Sequence, residues 1–173
     1  MRLILGDIVD MNTDAIVTAA HSDLRPAPGI SQAVFEAADT EKLTAACRKL
    51  GRCRIGRAVV TPSCGLPCRY IIHVAGAGWY SGRESDRQLF QDYYAHALQK
   101  ALAFHCRSVA MPLMFSGSFH IPRAEALLLV AQVISRFEAD CPGMEIRLVL
   151  YKQSIYDTAV RVLRHQGVPF ETL

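Results

Sequence analysis

His21 and His120 are the side chains of this 173-residue chain best suited to move a proton near neutral pH. Each falls in a loop beyond a short apolar run, and a facing pair could act as general acid and base. No carboxylate is plainly committed to orienting either ring, although Asp23 lies two residues from His21. Without an orienter, both imidazoles serve equally well as space fillers or as cationic partners for phosphate. Gly29 and Gly117 each stand just before a segment of helical period, where backbone N–H groups and a positive dipole end offer an anion site. Asp7 follows an apolar run directly, a position from which carboxylates commonly cap turn amides. Cys64, Cys68 and His73 have the residue types of a zinc site. They lack a matching second pair, however, and Cys68 opens an apolar run, so free thiols and no metal are expected. His73, inside such a run, reads as a core histidine.

The elements that would position these groups follow from hydrophobic period. Leu3-Ile4-Leu5, Ala15-Ile16-Val17, Ala58-Val59-Val60, Tyr70-Ile71-Ile72, Ser108-Val109-Ala110-Met111 and Ile146-Arg147-Leu148-Val149-Leu150 read as strands buried on both faces. Helical segments separate them. One runs from Gly29 through Ala38, and one carries Leu43, Ala46, Cys47 and Leu50 and stops at Gly51. One runs from an N-cap at Ser85 to about Phe104 and carries Leu89, Tyr93, His96, Leu98 and Leu102. Another has Pro122 in its first turn, and a last one is capped by Ser154. Strands alternating with helices predict an α/β fold, a mostly parallel sheet covered on both faces. Ligands bind such sheets at the carboxyl ends of strands, so the loops after Val17 and after Met111 should face each other across a cleft.

Composition sets limits. Apolar residues make up 51% and charged residues 20%, ordinary for a folded domain. The net charge of +3 tolerates an anionic ligand without being the footprint of a nucleic-acid binder. The stretch Arg48-Lys49-Leu50-Gly51-Arg52-Cys53-Arg54 reads as a solvated helix end and turn. No apolar run is long enough to span a membrane, and Met1 to Leu5 is too short for a signal sequence, so a cytoplasmic setting is expected. Nothing divides the chain, and residues 1–173 are expected to form one domain.

Several fragments together resemble the macrodomain family. They are Gly6-Asp7-Ile8, then Asp14-Ala15-Ile16-Val17-Thr18-Ala19-Ala20-His21, and the loop Pro26-Ala27-Pro28-Gly29-Ile30 before Ser31-Gln32-Ala33-Val34. Gly56-Arg57-Ala58-Val59-Val60-Thr61, Tyr70-Ile71-Ile72-His73-Val74, Met111-Pro112, Gly117, Phe119 and Pro122 follow in the family's order. The resemblance covers about residues 1–140 and implies a three-layer α/β/α sandwich around a mixed, mostly parallel sheet. It also implies a pocket for ADP-ribose or a related nucleotide diphosphate, or for an ADP-ribosylated protein, with no cofactor. By that carry-over Asp7 accepts from the adenine amino group and Ile8 packs near the base. Ala20, His21, Gly29 and Ile30 line one side, and Ser116, Gly117, Ser118, Phe119 and His120 line the other, with Phe119 along the distal ribose.

The departures from the family pattern fall where chemistry would be. Asparagines of the family correspond here to Thr18 and His21, and the acid of its hydrolytic branch to Ser31, which cannot serve as a carboxylate base. Pro26 and Pro28 replace loop glycines and remove two N–H donors. The leading expectation is therefore a binding module. The alternatives are an ADP-ribosyl hydrolase with a rearranged site built on His21 and His120, and a catalytically dead scaffold whose loop the prolines have closed.

Overall fold

A computed structural model describes residues 1–77, 82–115 and 121–172. Its seven strands are β1 (Arg2–Leu5), β2 (Ala15–Ala20), β3 (Ala58–Pro62), β4 (Tyr70–Ala75), β5 (Ser108–Pro112), β6 (Glu145–Leu150) and β7 (Glu171–Thr172). They form one sheet in the order β3-β4-β2-β5-β6-β1-β7, antiparallel only between β3 and β4. The edge strand β7 had no signal in the sequence, being two exposed residues.

The helices are α1 (Ile30–Ala37), α2 (Thr40–Leu50), α3 (Glu84–Ala103), α4 (Arg123–Asp140) and α5 (Gln153–His165). Alternate residues of the central strands feed two cores. Val17, Val109 and Leu148 pack with Phe90, Tyr94, Val130 and Ala159 of α3, α4 and α5. Ile16, Ala110 and Val149 pack with Val34, Phe35, Leu43 and Cys47 of α1 and α2. This is the expected three-layer sandwich, and it explains why β2 and β4 are apolar on both faces.

Helix starts differ from expectation in two places. Arg83, not Ser85, caps α3, and Lys152, not Ser154, caps α5, neither through a side-chain bond. Ser85 and Ser154 lie inside the first turns. In α3 the buried stripe is Phe90, Tyr93, Tyr94, Ala97, Leu98 and Ala101, while Leu102 is 48% exposed. The i, i+3, i+4 series starting at Phe90 fits one helical face, and Leu102 falls off it. Elsewhere local signals hold: Asp39 caps α2 by accepting from Lys42 N at 3.1 Å, and Gly51 ends it.

At the amino ends of the strands, Asp14 ties β2 to β5. Its Oδ2 accepts from Arg107 N (2.7 Å) and Ser108 N (3.2 Å), and Arg69 sits 3.3 Å from Oδ1. The Arg107 amide leads the causes that hold this carboxyl below the usual range.

His73 is a core histidine, 1% exposed on β4, with Nε2 2.9 Å from Thr61 Oγ1 on β3. Burial alone pushes its pKa down from 6.5 to about 4. Below pH about 6.5 the unfolded chain binds a proton that the folded chain refuses, so stability should fall with pH through this window and level off near 4. The full loss should be about 3 kcal/mol. Urea titrations between pH 7.5 and 4.5 should show most of it in the parent and little in His73→Gln.

Candidate functional site

The parallel strands β4, β2, β5, β6 and β1 all end on the same side of the sheet. A cleft of about 420 Å³ opens there. Its floor is the end of β6 beside the end of β1, where Leu5 pairs with Leu150 and Gly6 N donates to Leu150 O at 3.1 Å. Gly29, Ile30 and Ala33 of α1 form one wall, and Pro112, Leu113, Tyr151 and Ile155 form the other.

Asp7 and Ile8 stand at the mouth of a 3-10 turn (Ile8–Asp10) directly after β1. Ile8 is buried, 4% exposed, and supplies apolar lining. Asp7 does two things at once. Its Oδ1 accepts from Val9 N at 3.2 Å, the capping role open to any carboxylate after a strand, and its side chain still borders the cleft. Among the described residues Oδ2 has no partner, so one acceptor stays available.

Gly29 begins α1 at φ +94°, backbone that side-chain-bearing residues rarely adopt. Among the described residues no side chain caps this helix; Gln32 N donates to Ala27 O (2.9 Å), and the Ile30 and Ser31 amides remain to meet an anion at the cleft wall. The preceding loop has fewer donors to give. Pro26 and Pro28 have no N–H, and the Ala27 amide is directed at Ser31 Oγ, 3.3 Å away. Ser31 is 3% exposed. Its hydroxyl closes the loop onto the helix.

Asp7, Ile8, Gly29 and Ile30 thus come together in the cleft, and Ala20 and His21 do not. Ala20 is 8% exposed in the core beside α1 and α2, and its carbonyl accepts from Gly76 N. His21 is exposed outside the described cleft. Its neighbour Asp23 is occupied by Arg25, with Oδ2 2.7 Å from Nε and 2.6 Å from Nη2. Those bonds, the Arg25 side chain first, hold the Asp23 carboxyl below its usual range. Thr18 is fully buried within β2, in register with His73. Ser116, Gly117, Ser118, Phe119 and His120 lie outside the described residues, as do Trp79 and Tyr80.

Tyr151, Val149 and Ile155 are lining residues that sequence reasoning missed. Tyr151 is 71% exposed at the cleft edge, a flat ring with a free face. An aromatic residue directly after a buried strand was the available signal, but its relevance depends on β6 lying between β5 and β1.

The match to a family model titled Macro domain spans residues 17–130. A Macro domain-containing protein of Lactiplantibacillus plantarum is 37% identical over 134 residues, 78% of this chain and 77% of its own length. A Salmonella newport protein named O-acetyl-ADP-ribose deacetylase is 32% identical over 172 residues, 96% of each chain. Among solved structures, the Oceanobacillus iheyensis macrodomain with ADP superposes with a TM-score of 0.88 at 26% identity, covering 95% of this chain and 91% of the other. With the sheet order, the cleft and the matched span in agreement, the chain belongs to the Macro domain family.

Proposed function

We propose that this protein binds ADP-ribose, free or attached to another molecule, in the cleft at the carboxyl ends of β1, β5 and β6. The observation that carries the reading is the convergence of Asp7, Ile8, Gly29 and Ile30 on one 420 Å³ space. A solved relative holds ADP and a full-length relative is named for O-acetyl-ADP-ribose, which makes this ligand class the first to test. In this reading Asp7 Oδ2 accepts from the adenine amino group and Ile8 lies under the base. Tyr151 covers its other face, and the uncapped start of α1 receives the pyrophosphate. Ser116 to His120 complete the far side by resemblance.

Affinity should be modest. Each lost N–H bond to a charged group is worth about 1.5–3 kcal/mol, and Pro26 and Pro28 remove two. Calorimetric titration should therefore give a Kd in the tens of micromolar, roughly. No heat and no thermal shift at millimolar ADP-ribose would leave a scaffold with a closed pocket.

The base-recognition roles are separable from folding. Asp7→Asn keeps an acceptor for Val9 N but loses the charge, and Tyr151→Ala removes an exposed ring that supports no core. Both should weaken ADP-ribose about tenfold, on the scale of one charged hydrogen bond or one aromatic stack. Ribose 5-phosphate, which lacks the base, should bind as in the parent. Equal loss for both ligands would make Asp7 a turn residue only.

No helix among the described residues is long and apolar enough to cross a membrane.

A further inference from the structure

Charge is unevenly distributed along this chain. From Lys42 to Arg83 there are eight cationic side chains (Lys42, Arg48, Lys49, Arg52, Arg54, Arg57, Arg69 and Arg83) and no Asp or Glu, so the rest of the chain carries eleven cations against sixteen acids. Three of the eight are engaged: Lys42 by Asp39 (2.8 Å), Arg69 by Asp14 (3.3 Å) and Arg57 by the His96 ring (2.8 Å). Arg48, Lys49, Arg52 and Arg54 are exposed and have no ion-pair partner among the described residues. Arg48 and Lys49 fall in the last turn of α2, where cations favourably meet the dipole. Arg52 and Arg54 lie beyond the helix, where no such role exists.

The segment that displays them is firmly held. Cys53, 2% exposed, points its thiol at Arg57 O (3.2 Å), and Cys53 N donates to Ser22 O at 2.8 Å. Arg57 N returns to Arg54 O (2.9 Å), and Gly56 N donates to Ala75 O (2.8 Å) at the end of β4. A rigid backbone thus presents Arg52 and Arg54 outward, next to the residue that follows His21. Leu50 and Ile55, 42% and 55% exposed, interrupt the cations with aliphatic surface.

We propose that this Arg48–Ile55 rim docks an acidic polypeptide segment, the part of an ADP-ribosylated protein that surrounds the modified side chain. The inference rests on the ADP-ribose reading, in which, by resemblance to the family, the distal ribose faces position 21 and its substituent leaves the cleft beside Ser22. Carboxylates complement the guanidinium groups, and an apolar side chain of the segment complements Leu50 and Ile55. A single-stranded nucleic acid fits less well, because the run offers no aromatic ring on which bases could stack.

The test uses a mono-ADP-ribosylated peptide rich in Glu with one Leu, its Glu→Gln counterpart, the unmodified acidic peptide, free ADP-ribose, and a single-stranded oligonucleotide of equal charge. The acidic conjugate should bind about tenfold tighter than the Gln conjugate at low salt, a few exposed charge pairs being worth that much together. The gain should vanish at high salt, where screening is short-ranged. Arg52→Glu with Arg54→Glu should abolish the gain while free ADP-ribose binds as before. Arg52→Gln with Arg54→Gln should lose part of it, and unchanged thermal melts certify the fold. If free ADP-ribose fails to bind the parent, the cleft reading fails alone, and variant-sensitive binding of the unmodified acidic peptide still supports the rim. Equal affinity for the two conjugates, or indifference to the double reversal, overturns the proposal. So does a variant-sensitive preference for the oligonucleotide over the acidic peptide.

Discussion

Gly76→Ala should cost the fold about 3 kcal/mol or more, the upper end of what overpacking does to a core. A Cβ at this position would sit 2.2 Å from two ring atoms of Phe115, far inside contact distance. The ring has little room to retreat. Phe115 is 6% exposed, has a backbone φ of +61° uncommon for a side chain of its size, and packs at 4.6 Å against Tyr93. Tyr93 in turn bonds the residue after the glycine, with Ala77 N donating to its hydroxyl at 2.9 Å. Gly76 therefore lets the strap after β4 lie flat on the ring that immediately precedes residues 116–120. Relieving the clash requires moving that ring, so ADP-ribose affinity should fall together with stability. Gly143→Ala is the control, since a Cβ there meets nothing within 4 Å. Urea midpoints should drop steeply for the first variant and hold or rise slightly for the second. Equal midpoints would show that Phe115 is not packed as described.

The neighbouring Tyr94 should behave as a milder version of the same device. Its buried hydroxyl donates to Pro112 O at 3.0 Å and accepts from Met114 N at 2.7 Å, holding the turn that carries Leu113 to the cleft. Burial raises its pKa, so it stays a neutral phenol that can do both. Tyr94→Phe leaves the Met114 amide with only its 3.0 Å bond to Pro112 O, so the loss in urea stability should be modest, about 1 kcal/mol.

The layers were legible in the sequence because a strand buried on both faces has little choice but to be apolar throughout, as β2 and β4 are. Asp7, Ile8, Gly29 and Ile30 were named by the resemblance, and the cleft gathers them because they sit at fixed offsets from β1 and α1. Tyr151 and Val149 were not legible, because they reach the cleft only through the parallel pairing of β6 with β1, more than 140 residues apart in register. No local pattern encodes that neighbour. The serine caps failed for a related reason. Arg83 and Lys152 are poor capping residues by chemistry, yet the chain turns into α3 and α5 there, and Ser85 and Ser154 fall just inside the first turns. Ala20, named by the same resemblance, ends β2 packed in the core beside α1 and α2 and is not among the described residues that line the cleft.

Hydrolysis of acetylated ADP-ribose should be at least about a hundredfold slower than in a family member with an acid at the position of Ser31, general acid–base assistance typically being worth 10²–10⁴-fold. Ser31 is buried and its oxygen receives the Ala27 amide, so it closes the loop and has no carboxylate to offer a water molecule. The remaining route to catalysis runs through His21 and His120. A base of that kind needs a partner to fix its tautomer and its aim. Asp23, the acid nearest in the chain, is held by Arg25 through both the side chain and the backbone amide, which leaves it poorly placed to orient an imidazole. His21 itself is exposed and outside the cleft formed by the described residues, so a base there has neither an orienting acid nor a place against the ligand. His21→Ala should therefore leave ADP-ribose affinity unchanged, with turnover at background in the parent and in the variant. Robust turnover in the parent that disappears in His21→Ala would instead make this cleft an active site with histidine in place of the family's acid.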